Sequence, residues 1–540
     1  MNPFDMFELC VESGGHVRIS SKIGETVFRT ISSEGIPVGM VFIPCGPHAN
    51  FILHSVTHGT GAPDYKWIDV EVKPCDDDIS SAWDILEAEG GIRYEMDSFP
   101  CPTFSREGDT VVHDVLCPLC GCLCDDITVH IKQDRVDHID NGCSLSAGKY
   151  TSGCRLMHPV KKEGDLWTEI SYADATAYAA KVLANAERPL LFGWSGTSVE
   201  AQCIGVHIAE EIGGLIDNCS SICHGPSIMA IQESGHPGCT LGQVKNRADL
   251  VIYWGSNPME SHPRHMSRYT TYTEGYFREN AVNDRKLIVV DIRRSSTAEL
   301  ADEFIRIKPG GDFAVFSSIR AIIRGRSDLI PDEVAGIKKQ QLIRLTEMMM
   351  NAEFGALFTG IGLTQSPGKY KNVRAAIEMV DELNRHTKFT LTPMRGHWNV
   401  YGTNQSFSYL TGFPYAVDYS RGIPYYNPGE TSAIDVLLKG EADACVIIGA
   451  DPGAHFPRQC NEHLAEIPVI VIDPFVAMST ALASIHIPVA SVGIDAKGTG
   501  YRMDTVPLMM RKVLESRLPD DEKVLSDILA EIRDIKGSCC

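Results

Sequence analysis

A cysteine stands beside a histidine in the stretch DNCSSICHGPSIMAIQESG, which runs from residue 217 to residue 235. Gly225 is a suitable N-cap and Pro226 a suitable first helical residue, because proline needs no backbone donor there. The helix would place the thiol of Cys223 near the positive end of its dipole, which favours the thiolate. A thiolate at this place is a nucleophile or a metal ligand. The pair alone does not exclude a buried structural cysteine beside a surface His224.

A second group of cysteines lies in the segment CPLCGCLCDDITVHIKQDRVDHIDNGC. Three thiolates in one tight loop, with a fourth from farther along the chain, have the spacing that holds a [4Fe–4S] cluster. We predict four ligands in a C-x2-C-x3-C pattern with one remote member: Cys117, Cys120, Cys124 and Cys143. Cys122 is a spare that could replace one of them. Structural zinc is the alternative, but zinc ribbons normally take two ligands from each of two knuckles.

The composition restricts the class of protein that carries these groups. The chain has 540 residues, a net charge of −21 and 18 cysteines, and 44% of its residues are apolar. The negative charge argues against duplex nucleic acid as a partner. The sequence contains no run of 18 apolar residues and no signal-peptide pattern, so we expect a cytoplasmic protein without a membrane span. Clustered cysteines in such a chain favour metal or redox chemistry over disulfides.

Two passages of the chain have matching residues in the same order, and both are suited to position a ligand. They are ADLVIYWGSNPMESHPR, residues 248–264, and ADACVIIGADPGAHFPR, residues 442–458. In each, a strand ends in a glycine turn where backbone can approach phosphate, and the next strand ends in a carboxylate that can bind ribose or base. The candidate nucleotide-binding residues are Gly255, Asn257, Pro258 and Asp291 in the first unit, and Gly449, Asp451, His455 and Asp473 in the second. The alternative is that these residues only punctuate strand–helix turns.

The elements around these groups fall into two kinds. From about residue 160 onward, strand-like apolar runs alternate with helical patterns, which is typical of α/β domains. The first hundred residues instead contain period-two runs such as HVRISSKI and WIDVEVKP, broken by glycine and proline, which predict β structure.

A predicted cluster, two α/β units with paired nucleotide signatures and a cysteine between them together resemble the molybdopterin-dinucleotide oxidoreductases. More specifically, the chain is similar to the B-subunit family of formylmethanofuran dehydrogenases, roughly from Val111 to Leu518. The segments that carry this resemblance are CPLCGCLCDDI, GWSGTSVEAQ, CHGPSIMAIQ, VKNRADLVIYWGSNPMESHPRHMSR, PMRGHWNVYGTNQ, YNPGET and DPGAHFPR. Two N-terminal segments, GIPVGMVFIPCGPHANFIL and TGAPDYKWIDVEVKP, resemble the D subunit of the same enzymes, a small dinucleotide-binding module.

The resemblance implies an α/β molybdopterin-oxidoreductase architecture of the formate dehydrogenase or DMSO reductase type. We expect a small [4Fe–4S] domain, two pseudo-symmetric α/β domains and an N-terminal β-barrel-like module. The expected boundaries are 1–80 for the D-subunit-like module, 81–108 for a linker, 109–155 for the [4Fe–4S] domain, 156–219 plus 395–500 for one α/β domain, 220–394 for the other, and 501–540 for a C-terminal helix and tail.

The resemblance also implies roles for individual residues. Cys223 would supply a thiolate to tungsten or molybdenum, and soft sulfur suits a metal already held by dithiolene sulfur. Arg395 of PMRGHWNV would bind formate or nascent formate through two parallel hydrogen bonds. His224 would move a proton near neutral pH. Related enzymes carry an electron-path lysine two positions after the fourth cysteine, where this chain has Leu145, and the nearest lysine is Lys149.

The implied cofactors are one [4Fe–4S] cluster, two molybdopterin guanine dinucleotides and tungsten or molybdenum. Further candidate contacts to pterin or phosphate share a position beside a predicted turn or in the N-terminal module: Trp194, Ser195, Gly196, His262, Arg264, His265, Gly362, His48 and Asn50.

The implied activity is the reversible two-electron reduction of CO2 to formate, the first step of methanogenesis from CO2. The implied partners are an amidohydrolase-like formyl-transfer subunit, with methanofuran as acceptor, and polyferredoxin-like electron-transfer subunits. A free-standing formate dehydrogenase and a non-catalytic scaffold subunit of an electron-transfer complex are the alternatives. The presence of both Cys223 and Arg395 argues against the scaffold.

Overall fold

The structure is a computed structural model that describes residues 1–94, 110–152 and 155–537. Residues 95–108 of the expected linker and the last three residues of the expected tail lie outside the described residues.

The N-terminal region contains a three-stranded antiparallel sheet of order β2-β1-β3. Its elements are the strands β1 (His16–Ser20), β2 (Glu25–Arg29) and β3 (Glu71–Pro74), and the helices α1 (Pro3–Glu8), α2 (Pro47–Asn50) and α3 (Ala82–Ala88). The expected barrel-like closure is wrong for the described residues. The chain between β2 and β3 is mostly irregular and extends over the rest of the protein, so it adds no strands to close the sheet. Helix α3 lies inside the expected linker.

The cysteine-rich region is built on a second small antiparallel sheet of order β4-β5-β6. Its strands are β4 (Thr110–Val115), β5 (Ile127–Lys132) and β6 (Arg135–Asp140), and helix α4 (Ser144–Thr151) follows. Strand β5 buries every second residue. This alternation turns one face of the sheet toward the core, and the cysteine loop connects β4 to β5.

The first α/β unit begins with the strands β7 (Val160–Glu163), β8 (Leu166–Glu169), β9 (Pro189–Gly193) and β10 (Leu215–Asn218), and with the helices α5 (Tyr172–Asn185) and α6 (Val199–Ile212). The chain then leaves this unit and returns to it after residue 400.

The second α/β unit is a five-stranded parallel sheet of order β13-β12-β11-β16-β17 with a separate small hairpin, β14-β15. Its strands are β11 (Leu250–Trp254), β12 (Lys286–Asp291), β13 (Glu303–Arg306), β14 (Glu333–Val334), β15 (Ile337–Lys338), β16 (Phe354–Thr359) and β17 (Lys388–Pro393). Its helices are α7 (Gly225–Ser234), α8 (Leu241–Arg247), α9 (Pro258–Ser261), α10 (His265–Tyr269), α11 (Ser296–Glu299), α12 (Asp312–Ile323), α13 (Lys339–Asn351), α14 (Ile361–Thr364) and α15 (Tyr370–Leu383).

The returning chain completes a nine-stranded mixed sheet of order β19-β18-β10-β9-β20-β21-β22-β7-β8. The added strands are β18 (Val417–Asp418), β19 (Tyr425–Tyr426), β20 (Ala444–Ile448), β21 (Val469–Ile472) and β22 (Ile485–Ile487), and a terminal hairpin adds β23 (Gly498–Tyr501) and β24 (Pro507–Met510). The helices are α16 (Val400–Thr411), α17 (Ala433–Leu438), α18 (Pro452–His455), α19 (Arg458–Glu466), α20 (Met478–Leu482) and α21 (Asp521–Gly537). Helix α21 packs on α5 and α6, so the C-terminal helix is part of the first unit.

The central strands of both units are apolar runs that are buried on both faces, as in LVIYW of β11 and ACVII of β20. This pattern is typical of parallel strands covered by helices on each side. The five parallel strands of the first unit lie in the order β22-β21-β20-β9-β10, and those of the second in the order β13-β12-β11-β16-β17. The two sheets therefore correspond strand by strand, with β20 matching β11 and β10 matching β17. None of the helices in the described parts of the chain has the length and apolar character needed to cross a membrane.

Candidate functional site

Cys223 lies in the loop after β10, immediately before helix α7. The helix begins at Gly225 with His224 as N-cap, one residue earlier than the N-cap expected from the sequence. Thr364 Oγ1 donates to the carbonyl oxygen of Cys223 at 2.8 Å, and Gln365 Nε2 donates to that of Ile222 at 2.6 Å. Both donors belong to the second unit, so the cysteine is fixed where the two units meet.

Arg395 lies at the corresponding place of the second unit, just after β17, and is 3% exposed. Its guanidinium stacks on the ring of Tyr401, with Cζ 3.9 Å from the ring centroid, and donates to Asn404 Oδ1. Its Nε has no hydrogen-bond partner among the described residues. An unpartnered buried N–H is costly, so this guanidinium fits an additional anionic or polar ligand. Burial raises the pKa of the Cys223 thiol to about 11, and the Arg395 charge opposes that rise.

His224 is buried, and both of its ring nitrogens have protein partners. Nε2 lies 3.1 Å from the carbonyl oxygen of Met394 and Nδ1 lies 3.0 Å from Ser227 Oγ. Burial, reinforced by the nearby Arg395 charge, lowers the pKa of His224 to about 3. In this arrangement the imidazole is neutral and both ring nitrogens are hydrogen-bonded, and its expected role in proton transfer stays a prediction.

Three residues expected to contact phosphate make hydrogen bonds within the protein. His262 Nε2 lies 2.9 Å from the carbonyl oxygen of Arg395 and so supports that segment. His265 is fully buried, with Nδ1 2.9 Å from Tyr253 Oη. Arg264 makes two hydrogen bonds to Asp126 in the cysteine loop. Arg264 has this partner because the chain turns after the single-turn helix α9 toward the cysteine loop, which offers carboxylates. Nε2 of His265 is buried without a partner among the described residues, so the predicted phosphate contacts stay predictions.

A cavity of about 470 Å³ opens at the carboxyl ends of β9, β20 and β21. Six of the expected cofactor-binding residues line it: Ser195, Gly196, Gly449, Asp451, His455 and Asp473. A Cβ on Gly449 would lie 2.9 Å from the carbonyl carbon of Gly196, and its φ is +54°, so only glycine fits there. The indole nitrogen of Trp398, also in the lining, is buried without a partner among the described residues. This wall therefore has room and an available donor for a polar cofactor.

Trp194 does not reach this cavity. It is fully buried, and its ring packs against Gly205 and edge-on to Phe407 at 6.4 Å between centroids. The turn directs the indole into the apolar core behind β9, so of the three residues predicted at this turn only Ser195 and Gly196 line the cavity.

The second unit repeats the turn at Gly255, whose φ is +56°. A Cβ on Gly255 would lie 3.2 Å from Cα of Gly362, which explains glycine at both positions. Asn257 precedes Pro258 at the start of α9, and its Oδ1 accepts a 2.6 Å bond from Thr297 Oγ1 while its Nδ2 is buried without a described partner. The side chain thus braces the turn and still has a donor available for a ligand.

The two predicted acidic strand ends, Asp291 and Asp473, each cap their own turn. Asp291 Oδ1 accepts from the backbone of Ile292 at 2.7 Å, and Asp473 Oδ1 accepts from Phe475 at 2.9 Å. Burial raises the pKa of Asp291 to about 6 and that of Asp473 to about 7. Each carboxylate keeps oxygen lone pairs free for a nucleotide donor.

The N-terminal region contacts both α/β units. Asn50 Nδ2 donates to the carbonyl oxygen of Ala454 at 2.9 Å, and Lys66 N donates to that of Gln365 at 3.1 Å. The amide of Asn50 thus joins the module to α18, and its expected cofactor contact stays a prediction. His48 likewise bonds within its own region, with Nε2 2.6 Å from the Ser80 carbonyl oxygen.

Sequence reasoning missed Lys66, whose charge also opposes the raised pKa of the Cys223 thiol. Its segment, TGAPDYKW, contributes only to the resemblance of the N-terminal module, and nothing in the residues themselves indicates a place near Cys223.

All five cysteines of the cysteine-rich segment surround one small void: Cys117, Cys120, Cys122, Cys124 and Cys143. Cys143 is the N-cap of α4, and the backbone N–H of Ser146 points at its sulfur at 3.4 Å. A convergent set of thiols with a backbone N–H directed at one sulfur fits an iron–sulfur cluster. Cys122 is the most buried of the set, at 1% exposure.

The cysteine loop directly touches the segment that carries Arg395. Gly121 N donates to the carbonyl oxygen of Gly396 at 3.0 Å, and Cys120 pairs with His397 as an antiparallel bridge. Lys149 donates through Nζ to the Pro118 carbonyl oxygen at 2.7 Å and also lines the large cavity. The lysine therefore spans the wall between the cysteines and the cavity.

Similarity to known proteins identifies the family of this chain. Residues 155–406 match the family model of molybdopterin oxidoreductases. The chain is 44% identical over 433 residues to the B subunit of tungsten-containing formylmethanofuran dehydrogenase 2 of Methanocaldococcus jannaschii, and the alignment covers 79% of this chain and 99% of that protein.

Two solved structures share the fold at low sequence identity. Acetylene hydratase from Pelobacter acetylenicus aligns with a TM-score of 0.54 at 13% identity, over 77% of this chain and 69% of that chain. A chain of the formyltransferase/hydrolase complex from Methylorubrum extorquens, solved with methylofuran, aligns with a TM-score of 0.56 at 19% identity, over 71% of this chain and 100% of that chain. The fold is thus the mixed α/β fold of the molybdopterin oxidoreductases, and the chain belongs to the B-subunit family of formylmethanofuran dehydrogenases.

Proposed function

We propose that this chain is the catalytic subunit of a formylmethanofuran dehydrogenase and reversibly reduces CO2 to formate. The observation that carries the proposal is the meeting of Cys223 and Arg395 at the ends of corresponding strands of the two units. One offers a partly exposed thiol, and the other offers a buried guanidinium whose Nε has no partner among the described residues. A tungsten-containing relative at 44% identity favours tungsten as the metal.

The residues present fit a metal held by two molybdopterin guanine dinucleotides. Cys223 Sγ would be the protein ligand, because a soft thiolate suits such a metal. The Gly449 and Gly255 turns would each receive one dinucleotide, with Asp473 and Asp291 as acceptors for its donors. When bound, the metal–pterin group supplies the exchange of an electron pair with carbon.

The chain's own residues then bind and orient the substrate. The net reaction consumes one CO2, two electrons and one proton for each formate. The planar guanidinium of Arg395 is suited to hold a carboxylate through two parallel hydrogen bonds. Tyr401 fixes the plane of its guanidinium, and Asn404 accepts one N–H, so the unpartnered Nε remains for the ligand. His262 supports the backbone of the same residue.

Electrons would enter through a [4Fe–4S] cluster on the cysteine loop. Cys117, Cys120, Cys124 and Cys143 remain the proposed ligands. The contact between Gly121 and Gly396 gives a short backbone route toward the Arg395 segment. We assign the electron-path role to Lys149, because it bridges the cysteine loop and the large cavity from a position six residues after Cys143.

The accessory parts complete the proposal. The N-terminal region would be a D-subunit-like module that covers the dinucleotides, because it contacts both α/β units. The division into 1–80, 109–155, 156–219 plus 395–500, and 220–394 is proposed as the domain plan. Formyl-transfer and polyferredoxin-like subunits would be the partners. A cytoplasmic location is part of the proposal, because clustered thiols that bind metal suit a reducing compartment.

The test is elemental analysis of the anaerobically purified full chain for iron, tungsten, molybdenum and zinc. We expect about four irons for one cluster, together with one tungsten or molybdenum per chain. Zinc in the cysteine loop with no tungsten or molybdenum would overturn the proposal. A loaded chain that does not oxidise formate with a viologen dye would overturn the assigned reaction while leaving the cofactors in place.

A further inference from the structure

Arg264 connects the second α/β unit to the cysteine loop. Its two terminal nitrogens donate to the two carboxylate oxygens of Asp126, at 2.6 and 2.7 Å. Asp126 follows Cys124 by two residues. A bidentate pair fixes both position and orientation, so the guanidinium is held beside the cysteines.

The arginine is part of the wall around the cysteines. Arg264 and its neighbour Pro263 line the same small void as the five thiols, and the Arg264 side chain is 20% exposed. Because Arg264 borders the void that the sulfurs surround and Asp126 holds it there, its charge is placed to act on a cluster bound in that void.

Arg264 belongs to a network of two arginines and two aspartates whose charges balance, so loss of the Arg264 charge would leave the network negative beside the cysteines. Arg268 Nη1 also donates to Asp126, at 2.7 Å, and its Nη2 donates to Asp125. Asp126 is thus shared between two arginines, whereas Arg264 has an ion pair with Asp126 alone among the described residues.

Reduction adds one negative charge to a thiolate-bound cluster. The potential of such a cluster depends on net charge, hydrogen bonds to sulfur and solvent exposure. A fixed positive charge beside a ligand sulfur stabilises the reduced form most, because that form carries more negative charge. Low exposure at this site preserves the effect against solvent screening.

We propose that Arg264 is a positioning residue that sets the reduction potential of the cluster, raising it while Asp126 holds the guanidinium in place. The inference rests on the proposed cluster at these cysteines. It gives the second α/β unit a defined influence on the point where electrons enter.

A purely mechanical role is the competing explanation, in which the ion pair only clamps the loop to the second unit. Two variants separate the explanations. Arg264→Gln removes the charge, whereas Arg264→Lys keeps the charge and loses the two-pronged geometry. A mechanical clamp would be weakened by both variants without a change in potential.

The repeat supplies a matched control, because Arg458 holds the position in the first unit that Arg264 holds in the second. Arg458 stacks on Phe51 at 4.3 Å and bonds to Glu462 at 2.7 Å, and it does not line the cysteine void. Arg458→Gln removes the same charge from a place where we expect no effect on the cluster.

The experiment is a redox titration monitored by electron paramagnetic resonance on the anaerobically reconstituted full chain, with iron content measured in parallel. We expect Arg264→Gln to shift the reduction equilibrium three- to tenfold toward the oxidised form, which is at most about 59 mV for one electron. We expect Arg264→Lys to keep most of the native potential and Arg458→Gln to keep all of it.

The outcomes are distinguishable. An unchanged potential in Arg264→Gln with full iron content overturns this inference and leaves the proposed function intact. If Arg264→Gln does not retain iron, the test rests on Arg264→Lys. Lysine keeps the charge, so a fall in the cluster potential as large as the one expected for loss of the charge would overturn the inference. A wild-type chain without a cluster signal would overturn the proposed cluster itself.

Discussion

The same backbone turn occurs once in each α/β unit, but the side chains around it have different roles. Gly255 and Gly449 have φ of +56° and +54°, and the N-caps that follow, Asn257 and Asp451, have φ of −126° and −129°. Both N-cap side chains accept a hydrogen bond from a hydroxyl in the short helix that follows the next strand, α11 or α20. The backbone symmetry therefore extends to the hydrogen bonds that hold each turn.

The side chains around these turns differ. In the first unit, strand β10 leads into the loop that carries Cys223. In the second unit, the corresponding strand β17 leads to Arg395. Arg458 of the first unit faces Phe51 of the N-terminal module, whereas Arg264 of the second unit faces Asp126 of the cysteine loop. A repeated fold thus supplies equivalent positions, and the chemistry arises because those positions carry different residues.

The largest effect should come from Cys223→Ala, which removes the thiol proposed as the ligand of tungsten or molybdenum. We expect dye-linked formate oxidation to be lost while iron stays at about four per chain, the number one cluster requires. The control is Cys219→Ala, four residues earlier, where a buried thiol faces the Gly193 carbonyl oxygen at 3.6 Å. Full activity in Cys223→Ala would remove this residue from the mechanism.

Arg395→Lys tests the opposite strand end. Lysine keeps the charge but cannot make the planar two-pronged contact, so the KM for formate should rise at least about tenfold, or about 1.4 kcal/mol. Steady-state kinetics with a viologen dye measure this. The exposed Arg385 of the same unit gives the control Arg385→Lys, which should leave KM unchanged. Unaltered kinetics in Arg395→Lys would mean that this arginine is structural.

The two glycine turns should differ in how well they tolerate an alanine substitution. A left-handed φ costs an ordinary residue about 1–2 kcal/mol, so Gly449→Ala and Gly255→Ala should both lower the free energy of unfolding. The loss should be greater for Gly449→Ala, because its Cβ meets backbone of Gly196 at 2.9 Å while that of Gly255 first meets the Leu363 side chain at 3.0 Å. Chemical denaturation measures both.

Gly148→Ala is the control for this pair, because Gly148 lies in α4 with open space at its Cβ. Alanine there should be neutral or stabilising by up to about 1 kcal/mol. Equal losses in the two turn variants would contradict the difference in packing.

The smallest effect concerns the pH dependence of stability in chain purified without cofactors. The folded pKa of Asp473, about 7, and that of Asp291, about 6, both lie above the ordinary carboxyl value. The folded state then binds more protons than the unfolded state between about pH 4 and these values, so stability falls as pH rises through that window. Asp473→Asn should flatten the fall more than Asp291→Asn. Denaturation midpoints measured from pH 4 to 8 test this, and a larger flattening in Asp291→Asn would contradict the order of the two pKa values.

Local sequence determined much of this protein. The C-x2-C-x3-C spacing brings its thiols into one loop, and the Gly-x-Asn-Pro and Gly-x-Asp-Pro turns form as predicted, because neighbours along the chain constrain each other through the backbone. The alternation of apolar strands and helices likewise indicated the mixed α/β fold. The family resemblance carried by the motifs around Cys223 and Arg395 predicts that the two residues share one site.

Only the tertiary structure decided which side chains remain available to a ligand. His224, His262, Arg264 and Asn50 have residue types suited to cofactor contact, yet each makes a hydrogen bond within the protein, and Trp194 packs in the core. The partners Met394 of His224 and Asp126 of Arg264 lie more than a hundred residues away. Pairing at that separation depends on how whole units pack. The same packing brought Lys149 to the wall of the cavity, which spacing along the chain did not reveal.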